Sequence, residues 1–242
     1  MTRVAAIQSS YVPWKGYFDI IHDVDLFIFY DDVQFTTRDW RSRNRIKTAA
    51  GPLWLTIPTG SDRNRRVCDV VLDDARWPEK HWRSIRHAYA RAPFFGRYEE
   101  FFRDLYLGRR WTSLSEFNQT TTRAIARDIL GIPTAFADSR DYGAQGQRLD
   151  RLLDLLRNAR TSSYVTGPSA AAYVDPARFA QAGIALIYKD YSGYPEYPQL
   201  HPPFDHYVSV LDLIFHVGPD APRYIWGWRT ASAPPAPVPA SG

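Results

Sequence analysis

Cysteine is nearly missing from this chain: Cys68 stands alone among 242 residues, which excludes an intramolecular disulfide and fits a reducing compartment. Long apolar runs are missing too. At the N-terminus only Val4 to Ile7 are consecutively apolar before polar side chains begin, far short of a signal-peptide core. No window approaches the roughly 20 apolar residues of a membrane span. The expectation is a cytoplasmic protein with no membrane span. A Walker loop, a dinucleotide fingerprint, zinc spacing and a nucleophile elbow are all lacking, so neither a metal nor a cofactor is expected. The basic excess is small, +4, and sits at Arg38–Lys47 and Arg63–Arg66. With no basic stripe and no reading motif, nucleic acid is set aside as a partner, and an anionic small molecule or a carrier fits better.

Aromatic residues are abundant, at 15% with eight Trp and fifteen Tyr, and the chain is 45% hydrophobic and 23% charged. This is the make-up of an ordinary globular protein with enough chain for one sizeable core. Short apolar runs predict strands at Val4–Gln8, Leu26–Tyr30, Leu53–Ile57, Val67–Leu72, Thr134–Ala137, Ser163–Thr166 and Ile184–Tyr188. Most lack strict alternation, the pattern of strands buried on both faces. Helical periods fall at Gly16–Val24, Pro78–Arg91, Tyr98–Leu107, Ser113–Leu130, Leu149–Ala159, Pro176–Ala182 and Val208–Val217. The alternation predicts an α/β fold, a largely parallel sheet flanked by helices in Rossmann-like layering, with a helical insertion around residues 78–130. A single domain is expected over residues 1–230, followed by a disordered Pro/Ala tail at 231–242.

Chemistry concentrates in Val4–Thr48, where two strands each run into a loop dense in aromatic, amide and charged residues. Loops at strand ends hold functional groups because the sheet behind them is rigid. After the first strand come Gln8, Tyr11, Trp14 and Tyr17, with Gly16 allowing close approach. After the second come Asp31, Asp32, Gln34, Arg38, Trp40, Asn44, Arg45 and Lys47. The acidic pair suits a metal, acid–base work or pairing with Arg38 and Arg41, and pairing is the simplest reading because further ligands are missing. The Arg/Asn/Lys run suits phosphate or carboxylate. Cys68 reads as a small buried residue of a strand rather than a nucleophile. His81, in the first turn of a helix, is open to a structural or a catalytic role. Ser169 after Gly167-Pro168 is placed to bond a ligand or to cap a helix. Asp212 inside an apolar helix needs a partner, and an arginine of the 38–45 block is the obvious one.

Taken together these motifs resemble the WbqC-like protein family. The likeness runs through Gln8, Tyr11, Pro13-Trp14 and Gly16-Tyr17-Phe18, then Asp31-Asp32-Val33-Gln34-Phe35, Trp40 and Arg43-Asn44-Arg45-Ile46. It continues through Trp54–Pro58, Lys80-His81, Ala92-Pro93-Phe94, Gly167–Ser169, Tyr197–Gln199 and Ser209–Phe215. Ser9 departs from the family's pattern, which has proline there. The resemblance implies a pathway enzyme of surface-glycan or specialised-metabolite biosynthesis. The expected reaction is acyl or aminoacyl transfer from a thioester to an amine, with an acyl or peptidyl carrier protein as partner. In this reading His81, Asp32 and Gln8 are catalytic. Tyr11, Trp14, Tyr17, Gln34, Arg38, Trp40, Arg43, Asn44, Arg45, Lys47, Ser169 and Gln199 bind substrate. A nucleotidyl-transfer enzyme and a non-catalytic sugar- or carrier-binding module are the alternatives.

Overall fold

The computed structural model describes residues 2–231. Of the expected tail only Ala231 is among them, at the end of a short helix; the remainder lies outside the described residues. Five parallel strands form the sheet: β1 (Arg3–Ile7), β2 (Leu26–Phe29), β5 (Ala135–Asp138), β6 (Ser163–Thr166) and β7 (Ala185–Tyr188), in the order β5-β2-β1-β6-β7. A separate antiparallel hairpin consists of β3 (Arg43–Thr48) and β4 (Gly51–Thr56). The helices are α1 (Lys15–His22), α2 (Trp77–Tyr89), α3 (Phe95–Leu107), α4 (Leu114–Ala124), α5 (Arg148–Asn158), α6 (Pro176–Gln181) and α7 (Val210–Val217).

Both faces of the sheet are covered, and its side chains alternate between two cores. Ala5, Phe27, Phe29 and Val165 face the larger core, built with α1, α2, α3, α4 and α7. Val4, Ala6, Ile28 and Tyr164 face the smaller core, under α5 and α6. This is why the strands read as continuous apolar runs: successive residues point to opposite faces, and both faces are buried. The leucine stripe of α5 closes the smaller core through the buried Leu152, Leu153, Leu155 and Leu156. Each buried leucine contributes about 1.5–3 kcal/mol of apolar transfer. The three helices of the expected insertion share the larger core with the sheet. Ser113 caps α4 by accepting the backbone N–H of Glu116, as the S-x-x-E spacing promises.

Two predicted strands need correction. Val67–Leu72 is not a strand: Val67–Asp69 forms a 3-10 turn, and only Val71 makes a bridge, to Ser113. Cys68 is accordingly half-buried rather than sealed in a sheet. Leu53–Ile57 is not a strand buried on both faces, because it lies in the hairpin with Leu53 and Trp54 exposed. Its partner β3 escaped the sequence reading because its outward positions, Arg43 and Arg45, are charged and resemble a solvated loop.

A buried ionic cluster fastens α1 to the chain that follows β7. Asp19 is fully buried; its carboxylate accepts Lys189 Nζ at 2.8 Å and both Arg229 Nη atoms at 2.9 and 2.7 Å, along with the Tyr194 hydroxyl. Removing one member of such a cluster leaves the others charged and buried, at a cost of about 3–5 kcal/mol. Asp19→Ala is expected to lower unfolding stability by about that amount in urea titration. A loss below about 1 kcal/mol would show that the cluster behaves like a surface pair.

Candidate functional site

The carboxyl ends of β1, β2 and β6 open into one cleft of about 1670 Å3. From β1 the chain adds β2 and β5 on one side, then β6 and β7 on the other. The strand order thus reverses beside β1, the place where open α/β sheets bind ligands. Since neighbouring strands lie about 4.8 Å apart, the β2 and β6 sides of the cleft are separated by roughly 10 Å.

Gln8 continues β1 into the middle of the cleft. Its Oε1 accepts a hydrogen bond from Arg41 Nη2, which fixes the amide with Nε2 as the donor; one N–H of Nε2 makes a long bond to the Gln34 carbonyl at 3.5 Å. On the β2 side stand Tyr30, Asp32 and Gln34, joined by Arg66 and by Gln147, Arg148 and Arg151 around the start of α5. On the β6 side stand Thr166, Gly167, Ser169 and Tyr173, with Trp14 and Tyr191. Trp14 and Tyr191 meet edge-on at 5.0 Å. A side chain at Gly16 would run into the Trp14 ring at 2.3 Å, so glycine there lets the indole fold back. Trp40, Arg41, Asn44 and Tyr207 also line the cleft.

The two neighbouring carboxylates have separate surroundings. Asp31 is fully buried and accepts the Ser9 backbone N–H at 2.7 Å, Gln119 Nε2 at 3.2 Å and the Ser115 hydroxyl. Burial pushes its carboxyl above the ordinary carboxylate range, and those donors pull in the other direction. Asp32 lies on the cleft wall, where it accepts the Ser139 hydroxyl at 2.5 Å and pairs with Arg151. Neither carboxylate pairs with Arg38 or Arg41, contrary to the expectation. Arg41 instead sits 3.5 Å from Asp39 and holds Gln8. Among the described residues no group of three His, Cys, Asp or Glu side chains is placed to hold a metal ion. Tyr30 is kept as a phenol, its pKa pushed up to about 12 chiefly by burial.

The structure brings Gln8, Trp14, Tyr17, Asp32, Gln34, Trp40, Asn44 and Ser169 to the cleft. Tyr17 donates its hydroxyl to the Gln8 carbonyl at 3.0 Å. Gln34 turns its amide toward the Arg63 and Arg65 carbonyls. Asn44 bonds the chain's own turn: Nδ2 donates to Val12 O at 2.8 Å and Tyr11 O at 3.3 Å. Val12 is buried and held at φ +35°, a strained angle for a β-branched residue.

The other expected site residues lie elsewhere. Tyr11 is 1% exposed, and His81 is also buried. His81 Nε2 faces the Thr56 carbonyl at 3.2 Å, so it carries the proton. Nδ1 therefore accepts from the Tyr11 hydroxyl at 2.8 Å, which in turn accepts from Tyr106 at 2.7 Å. Burial lowers the His81 pKa to about 4. Both ring nitrogens are thus occupied inside the core and off the cleft. Arg38 is exposed on its loop. Arg43 and Arg45 lay their guanidinium groups over Trp54 at 4.3 and 5.6 Å. Lys47 Nζ donates to Gln199 Oε1 at 2.5 Å. Gln199 also reaches Asp212 at 2.8 Å, while Tyr89 and Tyr197 donate to the same carboxylate at 3.0 and 2.9 Å. The Asp212 carboxylate is therefore met by two tyrosines, a glutamine and, at 3.5 Å, the His216 ring, not by an arginine. At Cys68, burial first and then the neighbouring Asp69 push the thiol up to about 11, the reverse of what a thiolate nucleophile needs.

Sequence reasoning missed the contribution of the loop after β5. Gly143 and Gly146, both at positive φ, lead to Gln147, Arg148 and Arg151 on the cleft wall. The legible signal was Gly-x-x-Gly between a strand and a helix.

A sequence model of the WbqC-like protein family matches residues 8–224. The chain is also similar to "Uncharacterized protein Rv1507c" of Mycobacterium tuberculosis (strain ATCC 25618 / H37Rv), 41% identical over 227 residues that cover 93% of this chain and 98% of that protein. No solved structure matches.

Two measurements test this geometry. The folded chain resists protonating His81 until about pH 4, whereas the unfolded chain accepts the proton near the ordinary value of 6.5. Stability is therefore fully present above pH 6.5 and falls as pH drops toward 4, by about 3 kcal/mol. Urea midpoints across that window are expected to show this slope and His81→Gln to lack it; parallel slopes would place the ring in water. Asn44→Ala removes both bonds to the Tyr11–Val12 turn and is expected to cost about 1–3 kcal/mol. Thermal unfolding at the wild-type temperature would contradict the restraint.

Proposed function

The chain belongs to the WbqC-like protein family, and on that premise we propose that it is a group-transfer enzyme of a biosynthetic pathway. The reaction is acyl or aminoacyl transfer from a carrier-bound thioester to an amine. The observation that carries this reading is the cleft wall itself: Asp32 is the one carboxylate among the described lining residues, and it shares the cleft with the Gln8 amide and an aromatic wall. The cleft exceeds the roughly 300–1,000 Å3 of a pocket for one drug-sized molecule, which suits two reactants side by side.

In the transfer, the amine nitrogen attacks the thioester carbonyl carbon. The C–N bond forms and the C–S bond breaks. The Asp32 carboxylate takes the N–H proton, and the carrier leaves as a thiolate that is then protonated. Gln8 Nε2 donates to the carbonyl oxygen as charge develops on it, with Arg41 locking the amide from behind. Trp14, Tyr17 and Tyr191 keep water from the thioester. Ser139 and Arg151 orient Asp32. Of the residues expected to be catalytic, Asp32 is thus the base, since both ring nitrogens of His81 are engaged in the core.

Asp32→Asn preserves shape while removing the base. With a carrier-bound thioester and an acceptor amine, it is expected to lower transfer by about 10²–10⁴-fold, read by mass spectrometry of the carrier. Unchanged transfer in that variant would remove the mechanism. Tight ATP binding with no acyl loss from any thioester would favour nucleotidyl transfer instead.

A further inference from the structure

The cleft is asymmetric in charge, and the asymmetry follows the strand order. The β6 side is aromatic, with Trp14, Tyr173 and Tyr191. The β2 side carries Arg66, Arg148 and Arg151 around Asp32. Asp32 answers one of these guanidinium groups, Arg151. Arg66 is held from outside the cleft by Asp69, through Nε and Nη2 at 2.7 and 3.1 Å, which leaves its remaining N–H donors uncommitted. Arg148 is exposed on the wall, and among the described residues no hydrogen bond or ion pair engages its guanidinium. It is also held at φ +50°, a conformation that costs an ordinary residue about 1 kcal/mol or more. Arg151 and Arg41, both of which line the cleft, each keep a buried Nε–H with no acceptor among the described residues.

A wall of this kind offers more donors than one carboxylate ligand accepts, since a single guanidinium already satisfies a carboxylate in a bidentate pair. A phosphate ester presents more acceptor oxygens and up to two negative charges. We infer that the β2 side of the cleft is a phosphate subsite built on Arg66 and Arg148. The substrate is then a phosphate ester whose other half lies against the aromatic β6 side, roughly 10 Å away across β1. This rests on the cleft being the active site and names its substrate class. It also relocates anion binding from the Arg43–Lys47 strand, whose cations are spent on Trp54 and Gln199, to the loop before α5.

Two molecules share this chemistry: a nucleoside diphosphate and the phosphopantetheine arm of a carrier. Calorimetric titration of the full chain with uridine diphosphate against uridine, and with 4′-phosphopantetheine against pantetheine, separates them. At least one phosphorylated probe is expected to bind about tenfold or more tighter than its unphosphorylated partner, and Arg148→Ala and Arg66→Ala are each expected to remove about tenfold of that preference. A preference in the uridine pair identifies a nucleotide, and one in the pantetheine pair identifies a carrier arm. Both side chains are solvent-facing, and unchanged far-UV circular dichroism and melting would confirm that the variants fold. The inference is overturned if neither phosphorylated probe binds, if both pairs bind without preference, or if the preference survives in the Arg66→Ala/Arg148→Ala double variant. Transfer that still depends on Asp32 in any of those cases leaves the group-transfer reading standing. Phosphate preference with transfer indifferent to Asp32→Asn would do the opposite.

Discussion

The cleft depends on one buried carboxylate. Asp31 sits just beyond β2, and its oxygens collect the Ser9 N–H from the end of β1 and the Ser115 and Gln119 side chains from α4. Gln119 Nε2 also reaches Asp138 Oδ2 at 2.8 Å, at the end of β5. Three strand ends are thereby tied to one helix. A fully buried carboxylate is tolerable only when such donors surround it, so the chain positions of β1, β2 and α4 are coupled through this one group. The floor of the cleft is rigid for the same reason.

Asp31 and Asp32 show how a strand's two-residue period separates roles. The alternation that sends Phe27 and Phe29 to one core and Ile28 to the other continues past the strand end. Asp31 therefore meets α4 and Asp32 meets the α5 side. One carboxylate is consumed by architecture, and its neighbour is left on the cleft wall.

The layered fold was legible because burial on both faces of a parallel sheet leaves continuous apolar runs, and because helix boundaries carried proline and capping signals. The β3–β4 hairpin was not, since stacking of Arg43 and Arg45 on Trp54 is a tertiary event that leaves only a charged stretch in the sequence. Site residues were half legible. Residues beyond β1 and β2 reached the cleft where the sheet edge dictated it, as with Gln8, Trp14 and Asp32. Residue type alone misled at Tyr11, His81, Lys47 and Gln199, because buried polar chains use the same side chains that catalysis uses. Arg148 and Arg151 were invisible as partners because α5 meets Asp32 across more than a hundred positions of sequence, at |i−j| of 119 for the Arg151 contact.

Strain marks the same rim. Val12 and Arg148 are both at positive φ without being glycine; Arg148 lines the cleft, and Val12 directly precedes the lining residue Pro13. Arg160, also at positive φ, follows the end of α5, where a left-handed residue commonly closes a helix. The Val12 turn has no such helix to end. It persists because Asn44 bonds its carbonyl and because the Tyr11 ring beneath it is locked by His81 and Tyr106. The role of that buried trio is therefore mechanical: it holds the turn that sets Pro13 and Trp14 over the cleft. A preorganised wall of this kind spends folding energy once, so that a ligand need not order it on arrival. The His81–Tyr11 core and the Asp32 wall thus belong to one device, the first holding the shape and the second facing the cleft.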